Sequence, residues 1–149
     1  MATGFSLCGT ADLDRLLGLL EDWHRADARS FDLGAARLGL ARLLRDSSWG
    51  HAWIISQQGR PVGYAVLTFP ATTRGVPPAY VAGLYLEPTA RGRGLGRRTI
   101  GFLENVGRLL HVRVHHFANE GESKHAPLLY RRSGAGAETT FWSMNGVAA

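Results

Sequence analysis

Between residues 91 and 98 the chain reads "RGRGLGRR", in which Arg91, Arg93, Arg97 and Arg98 surround Gly92, Gly94 and Gly96. A guanidinium carries a permanent charge and a planar fork of donors, and glycine lets a bulky ligand approach a bare backbone N–H. Together they suit a phosphate or pyrophosphate. The preceding "AYVAGLYLEP" has the texture of a strand ended by Pro88, with Gly83 at a position where glycine often marks a bulge. Behind the loop, Thr99, Phe102, Leu103, Val106, Leu109 and Leu110 recur at helical spacing from Leu95 onward. A glycine turn that starts a helix gathers unpaired N–H groups where the helix dipole also favours negative charge. Two other phosphate motifs fail here. No Gly-Lys-Ser/Thr closes the loop as a P-loop requires, and Arg97 stands where the dinucleotide fingerprint needs its third glycine. Glycine makes up 19 of 149 residues, against a usual share of about 7%. Accidental G-x-G matches are therefore expected, and the loop needs context.

A second group able to do chemistry is the histidine pair in "HVRVHHF". Imidazole titrates near neutrality, so His115 or His116 could accept a proton. Strand alternation sends them to opposite faces, and at most one faces a cleft. A zinc site from His111, His115, His116 and His125 lacks a cysteine or carboxylate at a usual ligand spacing, so no metal is expected. Acids are unevenly placed: none lies between residues 47 and 86. The single cysteine, Cys8, excludes an intramolecular disulfide and fits a reducing compartment.

The elements that must position these groups follow from periodicity. Leu13, Leu16, Leu17, Leu20 and Trp23 form one helical stripe over residues 10–26, with Thr10 as its expected cap. A second helix begins near Asp32, carries Leu33, Ala36, Leu40, Leu43 and Leu44, and stops at Asp46-Ser47-Ser48. "HAWIIS" and "VGYAVLTF" then read as antiparallel strands joined by the turn "QQGRP". After the strand, loop and helix described above, "HVRVHHF" is a strand, "APLLYRRS" a short helix and "AETTFWSM" a last strand; "GFSLCG" is a weaker strand ahead of the first helix. The fold class expected is α+β, an α/β sandwich around a mixed, mostly antiparallel sheet with about four helices.

The chain's 149 residues fit one domain. Its 45% hydrophobic and 19% charged composition is that of a globular protein, without repeats or low-complexity tracts. The start lacks the basic region of a signal peptide, and no apolar run reaches membrane-spanning length, so a cytoplasmic protein is expected. A formal charge of +5 favours an anionic partner. Nucleic acid is disfavoured, because residues 87–101 hold no aromatic platform among the arginines.

Taken together, "LYLEPTARGRGLGRR" resembles the acetyl-coenzyme A binding segment of the GNAT superfamily of N-acetyltransferases, whose R/Q-x-x-G-x-G/A signature is met by Arg91, Gly94 and Gly96. "GRPVGYAVLTF" resembles the family's central hairpin, "LYLEP" its fourth strand and "LLYRRSGA" its closing motif, so the likeness spans about residues 50–144. The resemblance implies a single GNAT domain: residues 10–47 form a helical pair on the acceptor side, 50–87 the hairpin and fourth strand, and 88–149 the cofactor loop, helix and C-terminal part. It also implies transfer of an acetyl group from acetyl-coenzyme A to a primary amine by direct attack. The thioester carbonyl would meet backbone amides of Leu84, Tyr85 and Leu86, and the pyrophosphate would rest on amides from Arg91 or Gly92 through Arg93, Gly94, Leu95, Gly96 and Arg97. Tyr130 would protonate the leaving sulfur, since a phenol stays protonated at neutral pH. Ser123 stands where an asparagine often contacts coenzyme A, with Asn119 as the upstream substitute. The acceptor would lie near Trp23, Asp27, Phe31 and Asp32. Many relatives carry an acid on the fourth strand where this chain has Ala82 and Gly83, which leaves the base to a residue elsewhere acting through water, with His115 or His116 as candidates, to bulk solvent acting on the small unprotonated fraction of amine, or to none, and keeps a weak or inactive coenzyme A binding module as the alternative. Homodimers are frequent in the family.

Overall fold

The computed structural model describes residues 2–26, 32–69 and 77–116. Five strands, β1 (Thr3–Leu7), β2 (Gly50–Gln57), β3 (Arg60–Thr68), β4 (Pro78–Leu86) and β5 (Arg113–His116), form one sheet in chain order. The first four run antiparallel to their neighbours, and β5 lies parallel to β4. The sheet is therefore mixed and mostly antiparallel, as the sequence predicts. The weak strand signal at "GFSLCG" is a full edge strand, because Phe5 pairs with Ile55 in the ladder and stacks on Phe102 at 4.2 Å.

Helices α1 (Leu13–Ala26) and α2 (Leu33–Arg45) cover one face, and α3 (Leu95–Leu110) covers the other. Leu16, Leu17, Leu20, Leu40 and Leu43 pack with Ala52 and Ile54; Leu95 and Leu103 pack with Trp53, Ile55, Ala65 and Leu67. Strand β2 thus sends alternate residues into two separate cores, which is why it reads as a continuous apolar run. The parallel return from β4 to β5 runs through α3, as a parallel connection requires.

Both early helix starts use aspartate. Asp32 caps α2, its carboxylate accepting from the Ala35 N–H at 3.0 Å. At α1 the expected cap, Thr10, instead opens a 3-10 turn, Thr10–Asp12, and the carboxylate of Asp12 accepts from the Gly9 N–H at 2.7 Å. An acid at the third position of the turn that reaches back to the N–H of the residue before it supplies the return half of a capping box. Cys8 is buried beneath this turn, and desolvation raises its thiol pKa to about 11, with Asp12 adding to the effect. It stays a neutral thiol. The fourth helix and last strand expected from the sequence lie outside the described residues.

Candidate functional site

The site begins with a defect in the sheet. Val66 pairs with Gly83, but the next residue, Leu67, pairs with Val81, so Ala82 is an extra residue in β4. A one-residue insertion exchanges the faces of everything after it. Ala79 and Val81 point into the α3 core before the bulge, and Leu84 and Leu86 do so after it. Tyr85 consequently turns toward α1. The described pairing of β4 with β5 ends at Val81 opposite His116, immediately before this bulge.

Beyond β4 the chain makes a 3-10 turn, Pro88–Ala90, that buries Ala90. The Arg91 N–H is spent within this turn on the Pro88 carbonyl at 3.2 Å. Gly92 and Gly94 then take φ of 76° and 80°, the left-handed region that side chains avoid. Their two reversals bring the backbone to Leu95, where α3 starts. The Arg98 N–H makes the bond to the Gly94 carbonyl at 3.0 Å, so the amides of Leu95, Gly96 and Arg97 are the open donors of the first turn. A cradle of open loop amides would therefore start after Arg91.

The arginines divide by task. Arg91 donates through Nε to the Leu86 carbonyl at 2.8 Å and lays its guanidinium 5.4 Å from the Tyr85 ring centroid, tying the loop to the end of β4. Arg98 reaches β1 and donates to the Thr3 hydroxyl at 2.7 Å. Arg93 and Arg97 are exposed at the mouth of the loop.

On the α1 side of β4 the bulge assembles an aromatic stack. Trp23 lies 5.9 Å from Tyr64 and 5.7 Å from Tyr85, and the two tyrosine rings are 6.0 Å apart. The Tyr85 hydroxyl donates to the Trp23 carbonyl at 3.2 Å. Trp23 is only 6% exposed, so it holds α1 against the sheet instead of forming an open wall. His24, the next residue, stacks on Tyr85 at 5.8 Å and stands 6.5 Å from Tyr64. A Cβ at Gly83 would come within 3.1 Å of Tyr64 Cε2, close enough that the ring would have to give way by a few tenths of an ångström.

Glu87 follows directly on β4. Its side chain is 16% exposed, pairs with Arg60 and accepts from the Thr89 hydroxyl at 3.0 Å. Burial acts to raise its pKa, but the hydrogen bonds from Arg60, Thr89 and Trp23 together with the Arg60 charge outweigh that, and the carboxyl lies below its ordinary range. Glu87 is the first acid after the long gap, and it is committed to holding the end of β4.

The remaining expected residues fall as follows. Leu84, Tyr85 and Leu86 lie on β4 beyond the bulge. His115 pairs with Tyr80 and stacks on it at 5.2 Å, ahead of the bulge. Asp32 is occupied as a helix cap. Asp27, Phe31, Asn119, Ser123 and Tyr130 lie outside the described residues. Sequence reasoning missed His24, Tyr64 and Glu87. The parity of Tyr64 with Val66 in the hairpin was a readable signal, but its meeting with Tyr85 depends on the bulge. Among the described residues no group of three or more His, Cys, Asp or Glu is placed to hold a metal, and no helix is long and apolar enough to cross a membrane.

Similar solved structures share this fold. An integron cassette protein from the mobile metagenome of Cole Harbour Salt Marsh is 24% identical, with a TM-score of 0.72 over 87% of this chain and 81% of that one. A predicted acetyltransferase from Clostridium acetobutylicum, solved with acetyl-CoA, is 15% identical, with a TM-score of 0.72 over 89% of each chain. The ribosomal-protein-alanine N-acetyltransferase of Brucella melitensis biovar Abortus 2308 is 18% identical, with a TM-score of 0.69 over the whole of both chains. A comparison with curated protein sequences found no match. Residues 15–135 match the acetyltransferase (GNAT) family, and with the bulged fourth strand leading through a glycine loop into a helix, the chain belongs to that family of acyltransferases.

Proposed function

We propose that this protein transfers the acetyl group of acetyl-coenzyme A to a primary amine, as a single GNAT domain. The observation that carries the reading is the pair of left-handed glycines, Gly92 and Gly94, which aim the open first turn of α3 beside the bulged end of β4. An anion fits the amides of residues 92–97, and Arg93 and Arg97 add charge at the loop mouth. One neighbour of the same fold was solved with acetyl-CoA, which supports that ligand over other phosphates. The acyl group would then reach the amides of Leu84, Tyr85 and Leu86, whose donors suit an oxyanion. Asn119 and Ser123 would contact the cofactor, and Asp27 and Phe31 would approach the acceptor near the end of α1. Tyr130 would give its proton to the departing sulfur. Amine deprotonation falls to a histidine; β5 offers His115 and His116, and α1 offers a third, His24.

Calorimetric titration with acetyl-coenzyme A, followed by free-thiol release against a panel of primary amines, tests this reading. Binding with amine-dependent release is expected. Binding without release would leave a coenzyme A module that does not transfer, and no binding would reject the loop assignment.

A further inference from the structure

The geometry points to His24 as the group that takes the proton from the acceptor amine. This rests on the acetyl-transfer reading, and it moves the base from β5 to the last turn of α1.

Nδ1 of His24 lies 2.7 Å from the Leu20 carbonyl oxygen. A carbonyl only accepts, so Nδ1 carries the hydrogen, and the lone pair of the neutral ring resides on Nε2. The bond survives protonation, because the imidazolium donates from Nδ1 as well. The ring is therefore held in one tautomer and one orientation in both charge states. It is half-buried and stacks on Tyr85 at 5.8 Å, and that tyrosine lies between Leu84 and Leu86, whose amides would hold the thioester. The tyrosine faces also favour a neighbouring cation, whether ammonium or imidazolium. His115 is placed differently. It stacks on Tyr80, five residues before Tyr85 and across the bulge, on the order of 15 Å of strand away. Among the described residues, the ionisable groups around His24 are Tyr64 and Tyr85 against its ring, Arg91 on Tyr85, Glu87 beside Trp23, and Glu21 and Arg25 on α1, which pair with each other at 3.0 Å. Where many relatives carry an acid this chain has Ala82 and Gly83, and a Cβ on Gly83 would crowd the Tyr64 ring at 3.1 Å. A base presented from α1 needs no such acid.

The step balances without a co-reactant. The acceptor ammonium gives one proton to Nε2, and the freed lone pair forms the C–N bond to the thioester carbonyl carbon. Collapse of the tetrahedral adduct breaks the C–S bond with its electron pair leaving on sulfur. The second nitrogen proton is balanced by protonation of that sulfur, and His24 returns its proton to solvent.

The test compares wild type with His24→Asn, whose amide can still donate toward Leu20 but has no basic nitrogen. Two probes are used with acetyl-coenzyme A: a strongly basic alkylamine from the panel, protonated at pH 7, and a weakly basic amine that is already neutral there. The variant should lose about a hundredfold in kcat/KM for the alkylamine and change less than about threefold for the neutral amine, with unchanged acetyl-coenzyme A affinity. Equal losses with both amines, or no loss with either, would overturn the assignment. Ring nitrogen chemical shifts of His24 in the wild-type protein give a check that needs no variant: an Nδ1–H tautomer supports the proposal, and an Nε2–H tautomer rejects it. A wild-type protein that binds acetyl-coenzyme A yet acetylates no amine would remove the reaction, and this role with it.

Discussion

The two sides of β4 are built from different materials. On the loop side the candidate cofactor cradle is backbone: the left-handed turns at Gly92 and Gly94 and the open amides of α3. On the α1 side the candidate acceptor surface is side chain: His24 and Tyr64, backed by the buried rings of Trp23 and Tyr85 and brought together by one inserted residue. A backbone site depends on local conformation, so it tolerates variation around it and tolerates little within it. A side-chain site depends on register, and it can be rebuilt for another acceptor while the cofactor half stays the same.

The largest effect should come from violating the backbone half at its tightest turn. Gly94→Glu places a side chain at φ 80° and a negative charge beside the expected pyrophosphate. Acetyl-coenzyme A affinity should fall at least a hundredfold, about 2.8 kcal/mol, in a calorimetric titration of a variant that still melts cooperatively. Affinity within threefold of wild type would mean that the cofactor does not use this turn.

Next in size is an insertion into the side-chain half. Gly83→Glu restores an acid near the position many relatives use, but its Cβ would meet Tyr64 at 3.1 Å. Overpacking of this kind costs about 1–3 kcal/mol. The melting temperature should fall, and the double variant with Tyr64→Ala should lose less than the two single losses added together. Strict additivity would show that Tyr64 does not occupy the acid's space.

These two halves are unequally readable from the sequence. "RGRGLGRR" behind a strand and ahead of a helical stripe is local information, so Gly92, Gly94 and the start of α3 are legible in the order of the residues alone. The helices and hairpin are legible for the same reason, since each rests on the periodicity of neighbours. The α1 cap is not, because Asp12 and Thr10 are both adequate first-turn residues and only backbone geometry decides between them. The aromatic stack is harder still. Trp23 and Tyr64 stand far apart in the chain, and Tyr85 reaches them only because Ala82 is bulged out. Gly83 hints at the bulge, but its effect on every later side chain is a matter of register. By spacing alone His24 is the edge of an amphipathic helix; the Tyr85 ring beneath it is what gives it a place in the site.

Glu87 joins the halves, and its charge can be titrated. The folded-state pKa is below the ordinary 4.5, so the carboxylate stabilises the fold above that value and the contribution is lost as pH falls through the folded pKa. Glu87→Gln should therefore lower the melting temperature at pH 7, by no more than roughly 2 °C because Arg60 is largely exposed. The gap between variant and wild type should close as the solution is acidified below the ordinary carboxylate range. A gap that persists at low pH would assign the loss to packing against Trp23 and Thr89 instead of charge.

The smallest effects separate arginines that look alike in sequence. Arg97 is exposed at the loop mouth, whereas Arg98 is turned away to the Thr3 hydroxyl. Attraction between an exposed guanidinium and a pyrophosphate is screened by salt, so Arg97→Ala should weaken acetyl-coenzyme A binding only about threefold in dilute buffer, and less at high ionic strength. Arg98→Ala should leave affinity within about twofold under both conditions, because its charge is directed at β1. If Arg98→Ala showed the larger, salt-sensitive loss, the cradle would be held by side-chain charge on the β1 side of the helix. The contrast between a backbone half and a side-chain half would then fail at the loop itself.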